Sequence, residues 1–378
     1  MPPSRKKIAY IINVDWYFVL HWLDRARAAR DAGYAVHVFA DFTDPTHQQT
    51  MEDEGFICRR ISVDRKSMNP LKDVWSFLQI HAALRSVRPD IVHCITVKPN
   101  LYGGLAGRLL GLKTILNVTG LGLAFSGRTF RTFISRQIIK QLYRAAANHP
   151  SCKIVFENGD DRAVFTRLGI GFPENYILIP GSGVDVDLFA YTPEMVSEEP
   201  VILFAGRLLW DKGLGDVVAA AGLLRKQGQR FRLNVAGIVD SRSQNAIPLA
   251  QVRGWHEQGL INWLGERHDM PRVLAEANIV VLPSCYGEGV PRVLIEAAAV
   301  GRAIVTTGVS GCRDIVLHEE NGLLVEPGKP EQVALALERL LGDPGLRREF
   351  GLRGRRLVEE VFDQHRVITQ KLALYHSL

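Results

Sequence analysis

The sequence has no run of about 18 or more uncharged apolar residues, so no membrane-spanning helix is expected. Asn13, Asp15 and His21 interrupt the one N-terminal stretch that could serve as a signal core, and the expectation is a protein that stays in the cytoplasm. Cysteine is scarce and scattered: Cys58, Cys94, Cys152, Cys285 and Cys312 are odd in number and form no C-x-x-C pair. A disulfide or zinc framework built on cysteine is therefore not expected. Acid is missing from one long stretch, since Ile91 to Phe156 carries nine Lys or Arg and no Asp or Glu. No short-period repeat is present.

What is there is an ordinary globular composition over 378 residues, too long for one core and suited to two domains of about 180 residues each. The charge is uneven. Residues 1–190 hold 24 Lys and Arg against 17 Asp and Glu, a balance of +7, whereas residues 191–378 hold 22 against 23, a balance of −1. The basic half points to an anionic partner.

Apolar runs alternate with helical patterns along both halves. In the first, Ile8–Ile12, Ala35–Ala40, Cys58–Val63, Asp90–Cys94, Thr114–Val118 and Lys153–Phe156 read as strands. Between them, Leu23–Ala32 (ended by Gly33), Leu71–Val87 and Leu101–Leu110 read as helices. The alternation restarts at Val201 after a polar stretch, Tyr191–Pro200, which reads as a linker. Two parallel-sheet, Rossmann-like domains follow, expected at 1–190 and 191–362 with a last helix at about 363–378.

The stretch Tyr286–Gly301, Y-G-E-G-V-P-R-V-L-I-E-A-A-A-V-G, follows the apolar strand Ile279–Leu282 and opens a helix. Pro291 suits its first position and Gly301 its left-handed end. Gly287 and Gly289 leave the backbone bare at the helix mouth, where N–H groups and the positive end of the dipole can meet a phosphate. Glu288 and Glu296 stand eight residues apart, about 12 Å along a helix, with Arg292 midway on the same face. Carboxylates so far apart cannot share a reacting atom; they can grip hydroxyls at opposite ends of a ligand with a diphosphate between. The plainer alternative is an Arg292–Glu296 ion pair on the surface beside a glycine turn. Upstream, Gly206-Arg207-Leu208-Leu209-Trp210-Asp211-Lys212-Gly213 leaves the first strand of the same domain carrying two cations, and ligands of doubly wound sheets bind beyond the carboxyl ends of the strands. Arg207 can fork onto phosphate oxygens and Lys212 adds a point charge.

Gly206-Arg207…Lys212-Gly213 followed by Glu288-x7-Glu296 resembles the nucleotide-sugar domain of the family 4 retaining glycosyltransferases of the GT-B fold. Gly181-Ser182-Gly183-Val184-Asp185 and Asn321-Gly322-Leu323-Leu324-Val325 extend the resemblance over most of the chain. It implies an α/β protein with two Rossmann-like domains facing each other across a cleft, the last helix crossing back onto the first. It also implies that Arg207 and Lys212 neutralise the leaving nucleotide diphosphate, with Gly206, Gly287, Gly289 and the backbone N–H of Val290 lining it. Glu288 would bind the donor sugar, Glu296 the ribose, and the backbone at Arg267 and His268 the base. Transfer would proceed with retention and without a metal or cofactor, by positioning and electrostatics. The resemblance is nearest to bacterial members that build surface glycans. It implies a UDP-sugar donor, an N-acetylhexosamine among the candidates, and a polyprenyl-diphosphate-linked saccharide acceptor.

The first domain would hold that acceptor, and here the sequence departs from the family. Asn13-Val14-Asp15-Trp16 stands where many members have a Gly-Gly pair, and Val118-Thr119-Gly120 where many have Val-His-Gly. Asp15, Thr119 and Gly120 are the acceptor-side candidates. His21 and His93 are candidates of a weaker kind, since a lone histidine is more often packed or capping. The basic, aromatic-bearing segment 122–147 fits either a helix lying on an anionic membrane at the inner face of the plasma membrane or a helix packing on its own domain. Nucleic acid is not expected, for lack of base-stacking or groove-reading features. Two other functions stay open: a soluble transferase with a small acceptor, and a non-catalytic subunit that binds a nucleotide sugar.

Overall fold

The computed structural model describes residues 5–63, 69–121, 130–181, 183–195, 197–240, 243, 245–287 and 289–378, with side chains of 130–135 left aside. The chain divides into two compact units, Met1–Pro180 with Val367–Leu378, and Gly181–Arg366.

The first unit is built on strands β1 (Lys7–Ile11), β2 (Ala35–Ala40), β3 (Ile57–Arg60), β4 (Ile91–Ile95), β5 (Lys113–Val118), β6 (Cys152–Phe156) and β7 (Tyr176–Leu178). All pairs are parallel and the order is β3-β2-β1-β4-β5-β6-β7. β1, β4 and β5 are apolar and buried because helices cover both faces. Helices α1 (Asp15–His21), α2 (Leu23–Asp31), α3 (Pro45–Asp53), α4 (Pro70–Val87) and α5 (Val97–Leu109) alternate with the strands, followed by the helices Phe130–Ala147 and Gly159–Leu168. One face buries Tyr10, Phe18 and Trp22 with Val367, Leu374 and Tyr375 of the terminal helix, Gln364–His376. The other buries Ile80, Leu84, Leu101, Leu116 and Tyr143.

The second unit repeats the plan with β8 (Val201–Ala205), β9 (Arg232–Ala236), β10 (Asn262–Gly265), β11 (Ile279–Leu282), β12 (Ala303–Thr307) and β13 (Gly322–Val325), in the order β10-β9-β8-β11-β12-β13. In both sheets the order reverses beside the first strand, which leaves a crevice at the carboxyl ends of β1/β4 and of β8/β11. None of the described helices is long and apolar enough to cross a membrane.

Two expectations need correction. The division falls at Pro180, not at 190, because the turn after β7 is bound into the second unit at Val184, and the stretch taken for a linker is bound there at Glu194. Val184 N–H donates to Phe362 O at 2.9 Å, Asn278 Nδ2 to Glu194 Oε1 at 2.6 Å, and the nearly buried Arg347–Glu194 pair closes to 2.6 Å. Glu194 is polar for buried pairing, whereas Glu198 and Glu199 of the same stretch are exposed. Likewise α5 starts at Val97 and runs through Pro99, not from Leu101, since proline in a helix's first turn forgoes an N–H that has no helical partner.

Candidate functional site

In the second unit the two glycine-marked loops meet. Cys285 N–H, in the loop after β11, donates to Asp211 O, in the loop after β8, at 2.8 Å. The contact requires glycine: Gly213 has φ +79°, and a Cβ there would stand 2.2 Å from Pro283 O. A second close approach joins the β8 and β9 loops, where a Cβ on Gly237 would lie 1.9 Å from Gly206 O. Gly206 N–H donates to Ala236 O at 3.0 Å and Gly237 N–H to Gly265 O at 2.7 Å, so the loops after β8, β9 and β10 form one hydrogen-bonded rim.

Arg207 and Lys212 both stand on this rim. Arg207 Nη1 lies 3.4 Å from Asp240 Oδ2, a partner in the loop after β9 that sequence reasoning missed; nothing in its spacing marks it. Lys212 closes the short turn Trp210–Lys212, with Nζ 6.0 Å from the ring centroid of Tyr286. Arg267 is held by its neighbour Asp269 at 2.5 Å, and His268 is exposed beside it.

Helix Arg292–Val300 opens at the same rim. Pro291 is its N-cap, one position earlier than expected, and Gly301 ends it at φ +83°. Gly287 packs on the loop after β12: a Cβ there would meet Ser310 Cβ at 3.2 Å. Val290 is buried in the core, which anchors the approach to the helix. Glu288 lies outside the described residues; Gly289 falls beside it. Glu296 is buried at 8% exposure, and Arg292 Nε donates to its Oε1 at 2.8 Å. Burial pushes the Glu296 carboxyl above the ordinary range, and the charge and hydrogen bond of Arg292 offset part of that rise. The ion pair of the plainer alternative is thus present, but with its carboxylate buried and its arginine partly exposed.

In the first unit the carboxyl-end rim carries Asp15, Thr119 and Gly120. Asp15 is fully buried with its oxygens engaged: they accept from Thr43 N–H (2.8 Å), Asp44 N–H (2.9 Å), Trp16 N–H (2.8 Å) and the Thr43 hydroxyl (2.8 Å). Burial alone would raise its pKa; the donors from Asp44, Thr43 and Trp16 outweigh it and hold the carboxyl below the usual range. Asp15 therefore clamps the loop after β2. Thr119 and Gly120 lie half-buried directly after β5. His21 lies against the Tyr17 ring at 4.4 Å between centroids. His93 is packed within the sheet, its Nδ1 2.8 Å from Tyr375 Oη, and burial drives its pKa well below the ordinary value. Beside it is a buried set that sequence reasoning also missed: Arg25, Glu157 and Lys371, the lysine amine donating to Asn117 Oδ1. Of the basic segment 122–147, residues 122–129 lie outside the described residues.

Two doubly wound units with a cation-bearing rim at the β8/β11 reversal define a GT-B glycosyltransferase. Residues 199–343 match the sequence model of "Glycosyl transferases group 1" and residues 7–149 that of "Glycosyl transferase 4-like". The chain belongs to the family 4 glycosyltransferases. Among curated relatives it is 26% identical over 325 residues (82% of this chain, 83% of the other) to the N,N'-diacetylbacillosaminyl-diphospho-undecaprenol alpha-1,3-N-acetylgalactosaminyltransferase of Campylobacter jejuni. It is 26% identical over 298 residues (76% and 73%) to the UDP-Gal:alpha-D-GlcNAc-diphosphoundecaprenol alpha-1,3-galactosyltransferase of Escherichia coli. Its fold matches Anabaena HepE in complex with UDP-glucose at a TM-score of 0.79 and 18% identity, covering 98% of this chain and 100% of that one.

Proposed function

We propose that this glycosyltransferase moves a sugar, an N-acetylhexosamine in the first instance, from a UDP donor to a polyprenyl-diphosphate-linked saccharide, with retention and without a metal. The work is done at the inner face of the plasma membrane during surface glycan assembly. The observation that carries the reading is the hydrogen bond from Cys285 to Asp211, which ties the Arg207–Lys212 loop to the loop opening helix Arg292–Val300. That tie sets two cations and a helix N-terminus on one rim, the electrostatics a departing diphosphate needs. Two relatives whose names specify diphospho-undecaprenol acceptors, each matching over most of its length, support the acceptor class.

Glu296 holds the ribose hydroxyls and Glu288 those of the donor sugar. Arg207 and Lys212 take the charge that develops on the β-phosphate, and that phosphate helps accept the acceptor's proton. The test is nucleotide release from a panel of UDP-, GDP- and ADP-sugars in chelator, with and without vesicles carrying a polyprenyl-diphosphate saccharide. Release specific to one UDP-sugar and dependent on the lipid acceptor supports the reading. Release to a free sugar alone points to the small-acceptor alternative, and nucleotide binding without turnover to the non-catalytic one. The anomeric configuration of the product decides retention.

A further inference from the structure

Helix α4 is apolar on two faces. Its inner face, Ser76, Ile80, Ala83 and Leu84, is buried against the sheet, yet the outward face is also apolar. Leu71 is 80% exposed, Val74 56%, Trp75 60% and Leu78 49%, at the three- and four-residue steps that align one helix face. Single exposed apolar residues need no explanation; a contiguous stripe with a tryptophan at its centre marks a surface that something covers.

Charge decides what covers it. Residues 70–156 contain twelve Lys or Arg and two acids, Asp73 and Asp90. Both acids are engaged, Asp73 by Lys98 Nζ at 2.7 Å and Asp90 by Lys7 N–H at 2.7 Å. Lys72 and Arg85, exposed on α4 itself, flank the stripe. A second copy of this chain docking through α4 would bring like charges, Lys72 and Arg85 of each copy, to the same contact. An anionic bilayer supplies both the negative surface and an apolar interior, and tryptophan favours the interface between them.

We infer that the Leu71–Leu78 stripe is the surface by which the first unit docks on an anionic lipid bilayer, the apolar side chains entering the headgroup region while Lys72 and Arg85 meet lipid phosphates. This rests on the proposed use of a lipid-linked acceptor, and it assigns the contact to α4 rather than to the segment 122–147.

The test uses full-length protein with phosphatidylcholine vesicles, with and without phosphatidylglycerol. Binding is expected to need the anionic lipid and to weaken with salt. The Leu71→Gln/Trp75→Gln double variant should bind about tenfold or more weakly. Because these side chains are exposed, the variant should keep its fold, checked by circular dichroism. As a measurement independent of that variant, acyl-brominated phosphatidylglycerol should quench the fluorescence of the unmodified protein, and most of the quenching should vanish in Trp75→Phe. Quenching unaffected by Trp75→Phe, or undiminished binding of the double variant, overturns the inference. So does a concentration-dependent dimer abolished by Trp75→Gln, which would assign the stripe to a second copy. Turnover of a short-chain, water-soluble acceptor separates the two proposals: it should persist in the double variant, and if docking fails while turnover of the lipid acceptor holds, the transferase reading survives alone.

Discussion

Arg292 Nε donates to Glu296 Oε1 at 2.8 Å along the first turns of a helix that opens at the glycine-marked rim of the second unit. The charge and hydrogen bond of the arginine counter the burial that raises the Glu296 carboxyl, and so favour its ionised form, the form that accepts from ligand hydroxyls. Glu296→Gln should weaken UDP binding roughly 10- to 100-fold, the equivalent of losing about 1.5–3 kcal/mol of charge-assisted hydrogen bonding. Its Tm should not fall, since a carboxylate raised by burial loses stability as pH rises through its folded pKa, and neutral Gln is spared that loss. Arg292→Ala should shift the acid limb of UDP binding to higher pH, because Glu296 then protonates earlier. Calorimetric titration across pH reads both.

Arg207→Ala and Lys212→Ala should each lower kcat about 10²- to 10³-fold, as loss of a donor to developing charge does elsewhere. Arg207→Lys should recover little of it, for lack of the planar fork. Asp240→Asn should have a several-fold effect, since Asp240 positions Arg207 at 3.4 Å and does not itself face the phosphate in this scheme. Steady-state kinetics with a single donor separates the three.

Gly213→Ala should disturb both loops at once. The new methyl meets Pro283 O and the residue must hold φ +79°, a strain of about 1–3 kcal/mol. Loss of Tm together with loss of activity is expected, whereas Gly228→Ala, at φ +83° with open space around it, should lose Tm alone. Thermal unfolding and turnover measured side by side make the comparison.

His93, His37 and His149 all have pKa values lowered by burial, His93 most of all. For a base depressed in the folded state, the unfolded chain binds more protons below about pH 6.5, so stability falls with acid. Each histidine contributes a slope of up to about 1.4 kcal/mol per pH unit between its folded pKa and that value. Unfolding followed in urea between pH 7 and 5.5 should show the decline, and His93→Gln should make it shallower.

Much of this was legible beforehand, for physical reasons that differ by element. Parallel strands buried on both faces, such as Val280 and Ile304, leave long apolar runs that periodicity reads directly. Gly213 and Gly301 signal positive φ, and the cation spacing of Arg207 and Lys212 survives as local sequence. What was illegible depends on long-range pairing. Glu194 looked like linker polarity because its partner, Arg347, lies 153 residues away. Asp15 looked like a rim acid until the N–H groups of Thr43 and Asp44 turned out to occupy it. Asp240 has no sequence signature at all, and the Lys371–Asn117 contact spans 254 residues.

That last contact bears on how the protein is made. The first unit needs Val367, Leu374 and Tyr375 to complete one face of its core, and Lys371 to sit near Glu157. Those residues follow the entire second unit in the chain. During synthesis, therefore, the unit that starts first finishes last: a nascent chain exposes the Tyr10–Trp22 face until the ribosome has passed residue 375. Chaperones that recognise bare apolar surface would have their longest window on this protein there. A circular permutant that moves residues 364–378 ahead of Lys7 would shorten it.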